Sequence, residues 1–142
     1  MIAPLLFACK KDSDNNTPTG NAMTAKVDGA AWSASLAVQG NKSTGTPVVL
    51  TLAGTGSGSQ INLSVVNYNG PGTYSVSNGL TAVYTNTATL EVYTATQGLG
   101  SGSLVVSSES NGLVQGTFSF TAASTGGGAS KNITEGSYRI QL

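Results

Sequence analysis

Few side chains in this chain of 142 residues can do covalent or acid–base chemistry. It has one cysteine, Cys9, and no histidine, so a serine–histidine–aspartate arrangement and a zinc or copper site both lack members. Glu91 and Glu109 could face each other from neighbouring strands, as a glycosidase pair does across roughly 5–10 Å. They are also explained as charges that keep strand edges from pairing. We therefore predict no enzyme activity, no catalytic residue, no metal and no cofactor.

Cys9 directly follows the apolar run 2–8, and a polar segment follows it. The residues Leu6-Phe7-Ala8-Cys9 resemble a lipobox, in which a small residue precedes the cysteine that receives a lipid. We predict that residues 1–8 are a lipoprotein signal peptide and that acylated Cys9 begins the mature protein. The leader lacks a charged start, and its apolar stretch is near the lower limit of roughly 7–15 residues, so we expect it to be truncated at its N-terminus. The alternative is an ordinary first strand or a frayed terminus.

The composition is poor in charge and rich in hydroxyl groups. Charged residues make up 8% of the chain, and six basic groups balance six acidic ones. Without a basic face there is no surface for phosphate backbones, so nucleic acid is not an expected partner. Serine and threonine supply about a quarter of the residues, which is typical of exported β proteins. With one cysteine no internal disulfide can form, and the hydrophobic core must hold the fold.

Residues 9–22 have no apolar periodicity and are predicted to be a lipidated, flexible tether, with residues 23–142 forming one β domain. In that domain apolar and polar residues alternate, as at Ile61, Leu63 and Val65, which indicates half-buried strands. No helical spacing occurs. We predict an all-β fold, an antiparallel β-sandwich of about ten short strands, with a closed up-and-down β-barrel as the alternative. The predicted strands are 23–27, 31–38, 47–53, 60–68, 72–77, 80–85, 89–96, 103–109, 113–123 and 133–142.

Turn residues separate these strands. Asn, Asp and Gly tolerate the positive φ angles that a two-residue hairpin turn needs. Three dipeptides are therefore predicted to form such turns: Asp28-Gly29, Asn78-Gly79 and Asn111-Gly112. Longer glycine-rich loops are predicted at 54–58, 69–72, 98–102 and 126–128.

The order of these short motifs resembles that of small lipoproteins of Bacteroidota. The residues that carry the resemblance are Cys9-Lys10-Lys11-Asp12, Val27-Asp28-Gly29 with Trp32, Gly72 to Val76, Asn111-Gly112 with Gly116 to Ala122, and Ile133 to Tyr138. The resemblance implies a lipid-anchored β domain of the outer membrane. It implies no reaction, since none is established for that family. The segment 10–14 also partly resembles a signal for export to the cell surface, and the alternative is a solvated tether that faces the periplasm.

Two functions remain open. The first is a structural or accessory role in the cell envelope, with an envelope protein or a second copy pairing at strand edges, which hydroxyl-rich strands protect poorly. The second is a surface glycan-binding module, in which exposed tyrosine rings stack on sugars. Tyr68, Tyr84 and Tyr93 are the candidate ligand-binding residues. Tyr74 and Tyr138 fall in phase with the core, and Trp32 is expected to pack under the first hairpin.

Overall fold

A computed structural model describes residues 20–124 and 128–142. In these residues the alternating sequence forms eleven antiparallel strands. Within these residues the helical structure is one 3-10 turn, Val76–Asn78. The strands are β1 Ala22–Val27, β2 Ala30–Ser33, β3 Ala37–Lys42, β4 Val49–Thr55, β5 Ser59–Val66, β6 Gly72–Ser75, β7 Leu80–Asn86, β8 Glu91–Ala95, β9 Ser101–Ser110, β10 Leu113–Ser124 and β11 Ser130–Gln141.

All of these strands belong to one sheet that curls into a half-barrel. Its order is β2-β1-β11-β10-β8-β7-β5-β4-β3, with β9 paired to β10 and β6 paired to β9. Strand β10 joins the two halves because it is longer than either neighbour on that side. Its residues 113–121 pair with β9, and its last two, Ala123 and Ser124, pair with Thr94 and Tyr93 of β8.

The curl brings the two halves of the sheet face to face over one core. A Cβ atom added to Gly54 of β4 would lie 2.8 Å from the sulfur of Met23 in β1, so the two strands pack closely. The Trp32 indole nitrogen of β2 donates a 2.7 Å hydrogen bond to the hydroxyl of Ser59 in β5. The prediction of an all-β, antiparallel fold of about ten strands is confirmed. The halves share a core as in a sandwich, and hydrogen bonds along β10 make them one sheet.

The predicted alternation places the expected residues in the core. Ile61, Leu63 and Val65 are at most 1% exposed, and Phe118 and Phe120 at most 3%. Burial of each such side chain contributes about 1.5–3 kcal/mol relative to exposure, so these strands supply much of the stabilising free energy.

The structure confirms two of the three predicted hairpin turns. Asp28-Gly29 and Asn111-Gly112 have positive φ angles at both residues and connect paired strands. The prediction for Asn78-Gly79 is wrong. Gly79 has φ of 103° but ends the 3-10 turn, and it leads from β6 to β7, which pair with different neighbours. Here the dipeptide lies in a connection between two strands that do not pair with each other. Because glycine accepts a positive φ in several kinds of turn, the dipeptide alone does not specify a hairpin.

One predicted strand is two strands in the structure. The segment predicted at 31–38 is interrupted after Ser33, and the chain resumes as β3 at Ala37. The interruption carries the chain from β2, in one half of the sheet, to β3, in the other half. Periodicity alone could not show this, since both pieces are short and no turn dipeptide lies between them.

Candidate functional site

The best-defined cluster of ionisable side chains lies where the two halves of the sheet meet. Glu109 of β9 accepts a hydrogen bond of 2.5 Å from the Lys42 ammonium of β3 and one of 2.6 Å from the Tyr68 hydroxyl. The Lys42 nitrogen also lies 5.9 Å from the centre of the Tyr68 ring. The Glu109 side chain is 16% exposed and that of Lys42 39%. This ion pair fastens the edge strand of one half to the other half.

A β-bulge places Glu109 in this cluster. Leu104 and Val106 face the core, so strict alternation would turn Ser108 inward and Glu109 outward. The register instead shifts between Val106 and Ser108, and Glu109 pairs with buried Val114. An extra residue in one strand reverses the faces beyond it, which is how a bulge redirects a side chain.

The two donors determine the chemistry of Glu109. Two hydrogen bonds hold the pKa of its carboxyl below the usual value, the one from Lys42 with the larger effect and the one from Tyr68 with the smaller. Burial is the main cause that raises the pKa of the Tyr68 hydroxyl, and the hydrogen bond to Glu109 is the next. At neutral pH the carboxylate is therefore ionised and the phenol keeps its proton. Such a carboxylate stabilises its donors and is a poor proton donor.

A second charged cluster fastens the first hairpin turn to β11. The Asp28 carboxylate accepts a 2.8 Å hydrogen bond from the backbone nitrogen of Asn132 and lies 3.3 Å from the Lys131 ammonium. The bond from Asn132 is the main cause that lowers the pKa of Asp28, and the contact with Asp28 raises the pKa of Lys131. The sequence explained Asp28 by its turn, and the structure adds a docking contact.

The structure does not bring Glu91 and Glu109 together. Glu109 pairs with Val114 near one end of β10, whereas Tyr93, two residues from Glu91, pairs with Ser124 at the other end. Ten residues of strand at about 3.3 Å each separate these positions, far beyond the reach of a glycosidase pair. Glu91 instead accepts hydrogen bonds from Thr89 and Tyr93, at 3.1 and 3.2 Å.

The prediction that Tyr68, Tyr84 and Tyr93 present exposed rings is wrong. Their exposures are 7%, 7% and 4%, so no ring face is open for a sugar to stack on. Tyr84 and Tyr93 lie on the core side of β7 and β8, in register with each other, and their ring centres are 6.1 Å apart. The phase of the alternation already placed these two with apolar neighbours. That signal could have identified them as core residues.

Cys9, the predicted lipidation site, lies outside the described residues. Within residues 20–124 and 128–142, no group of three or more Cys, Asp or Glu side chains is placed to hold a metal ion. The described part of the chain includes no helix with the length and apolar character needed to cross a membrane.

The profile of the family described as domain of unknown function DUF6252 matches residues 16–140, which is most of the chain. The chain belongs to the DUF6252 family. Neither the curated proteins nor the solved structures gave a match.

The sequence did not identify two features of this DUF6252 domain. One is Lys42, which lies beyond the predicted end of its strand and reaches Glu109 only because the sheet curls. The other is Asn21, which was predicted to belong to the tether. Its side-chain nitrogen donates to the Val38 carbonyl at 3.1 Å, and its oxygen accepts from the Gln141 nitrogen at 2.8 Å. Asn21 thereby bridges the edge strand β3 and the interior strand β11.

Proposed function

We propose that the chain is a lipid-anchored outer-membrane protein with a non-enzymatic, structural or accessory role in the cell envelope. The strongest support comes from the ion pairs that its charged side chains form with one another within the fold. Of the eight charged residues in the described part of the chain, six form three ion pairs. These pairs are Lys26–Glu135, Lys42–Glu109 and Lys131–Asp28. Each joins two strands or a turn and a strand, so the charges hold the sheet together.

The anchor is Cys9, followed by the polar segment 10–14. Each buried methylene of an acyl chain contributes about 0.8 kcal/mol, and two or more chains hold a protein stably on a membrane. The family match begins at residue 16, after the proposed acylation site. We propose display on the outer surface of the outer membrane, with the β domain carried on the tether.

The partner is an envelope protein or a second copy that adds a strand at an exposed sheet edge. Strands β2 and β6 lie at edges and carry no charged side chain. Charges on an edge strand are a common protection against pairing, so their absence favours strand addition.

The anchor is tested with Cys9→Ala in cells fed a labelled fatty acid. The native chain should take up label and fractionate with the outer membrane, whereas Cys9→Ala should lose both properties. Ser13→Ala, a change of similar size in the same segment, should behave as the native chain does. Label retained on Cys9→Ala would exclude this anchor. Protease added to intact cells should degrade the displayed domain, and full protection would exclude surface display.

The edge is tested by cross-linking in intact cells, followed by mass spectrometry. Ala31→Lys places a charge at an exposed position of β2, and Gln115→Lys places one on interior strand β10. We expect the Ala31→Lys variant to lose a cross-linked partner that the Gln115→Lys variant retains. If both variants keep the same cross-links, the β2 edge is not the interface.

A further inference from the structure

One outer face of the half-barrel carries no charge. It is formed by the outward-facing residues of β3, β4, β5, β7 and β8, which are alanine, valine, serine, threonine, asparagine and glutamine only. Charged residues on these strands, Lys42 and Glu91, lie on the other side, at the ends of the core face. An uncharged face of five strands gives no attraction to a polyanion or a polycation.

Four amide side chains surround a shallow cavity of about 380 Å³ on this neutral face. Gln39 and Asn41 stand on β3, and Gln60 and Asn62 on β5. Between the two strands runs β4, where Ala53 pairs with both Gln39 and Asn62. The two rows of amides are two strand spacings apart, which is about 10 Å. Between them the short side chain of Ala53 forms the floor of the cavity. The width suits a single sugar ring.

The four amides are free to bind a ligand. None of them has a hydrogen-bond partner among the described residues, whereas Asn21, Asn86 and Asn132 use their side chains to hold the fold. Gln39 and Asn41 are exposed, and Gln60 and Asn62 are half-buried. Each amide offers two donors and one acceptor oxygen, which matches hydroxyl groups that both donate and accept.

We infer that this amide cluster, Gln39, Asn41, Gln60 and Asn62, binds a neutral polysaccharide. The ligand class follows from the lack of charge, from the paired donors and acceptors, and from the extent of the neutral face, which continues over five strands beyond the cavity. The site differs from one that uses tyrosine rings, since its contacts are hydrogen bonds. It deepens the proposed accessory role by naming a ligand for an envelope-anchored domain.

The test uses the full chain carrying Cys9→Ala, which removes the proposed lipid site and so separates binding from anchoring. Calorimetry with dextran, laminarin and xylan as neutral probes, and dextran sulfate as a charged one, should show binding of at least one neutral polymer. Gln39→Ala and Asn62→Ala should each weaken that binding roughly fivefold, as loss of one hydrogen-bonding group does.

The matched control is Gln115→Ala, because Gln115 is an exposed amide on β10, in the other half of the sheet. It should leave the affinity unchanged, and all three variants should melt like the parent chain. Binding of no neutral polymer would overturn the inference. So would tighter binding of dextran sulfate, or an equal loss in Gln115→Ala. Because the chain used for calorimetry lacks Cys9, its binding to a neutral polymer does not depend on the outcome of the acyl-labelling test. Likewise, a failure to bind any neutral polymer would leave the proposed lipid anchor unaffected.

Discussion

The side chain of Tyr138 lies across Gly116. The two residues are paired between β11 and β10, and a Cβ atom on Gly116 would lie 2.6 Å from the Tyr138 hydroxyl oxygen. That hydroxyl donates a 2.8 Å hydrogen bond to the Val105 carbonyl on β9, the strand beyond β10. One side chain therefore connects three strands, and only the absence of a side chain at position 116 lets it pass.

Gly116→Ala should be strongly destabilising. The new methyl group would overlap the backbone oxygen of Val105 as well as the phenol, and backbone cannot move aside cheaply. We expect a loss of about 3 kcal/mol, at the upper end for overpacking, measured by urea unfolding. Gly45→Ala is the control, because its Cβ atom would meet nothing within 4 Å. Equal stability of the two variants would show that β10 has room for a side chain at position 116, against the close contacts of Gly116.

Glu109→Gln should change how stability depends on pH. The pKa of Glu109 is held below its usual 4.5 in the folded state, so its stabilising effect is complete above about pH 4.5. The effect is lost as the pH falls through the folded-state pKa, because the unfolded chain then binds the proton more readily. At pH 7 the variant should lose about 1–2 kcal/mol through weakened hydrogen bonds.

This prediction is checked by melting the native chain and the variant from pH 7 to pH 2. The gap between their melting temperatures should narrow below about pH 4.5. Asp28 also has a lowered pKa, but it is present in both chains and cancels in the difference. A gap that stays constant across this range would argue against the Lys42–Glu109–Tyr68 cluster.

Tyr84→Ala should lower stability by about 3–5 kcal/mol, the range for removal of a large aromatic side chain from a core. An exposed ring would give almost no change, so the experiment separates the two interpretations of this residue. Tyr84→Phe is the control. Its hydroxyl has no hydrogen-bond partner among the described residues, and the variant should lie within about 0.5 kcal/mol of the native chain. The free energies of unfolding of both variants are measured by chemical denaturation, followed by tyrosine fluorescence.

Asn21→Ala should loosen the edge where β3 approaches β11. Its side chain holds Val38 and Gln141 together, and the loss of two hydrogen bonds should cost about 1–2 kcal/mol. Hydrogen exchange of the Gln141 amide gives a local readout, since that amide donates to Asn21 and should exchange faster in the variant. Gln115→Ala should leave this exchange rate unaltered. If Gln141 remains equally protected without Asn21, the bridge does not hold this edge.

The sequence by itself determined where most of the strands lie and which side of them is apolar. Ile61, Leu63 and Val65 alternate with polar residues, and a period of two leaves one face for the core whatever the neighbouring strand is. It also determined the turns at Asp28-Gly29 and Asn111-Gly112, because the φ angles that they need are a local property.

Only the tertiary structure decided which strands become neighbours and what the curl brings together. The bulge before Glu109 depends on the register with β10, and the contacts of Lys42 and Asn21 join positions far apart in the chain. The same holds for the amide cluster, whose members come from β3 and β5 on either side of β4. Local pattern fixes the direction of a side chain relative to its own strand, whereas the partner that it meets is set by long-range packing of the whole sheet.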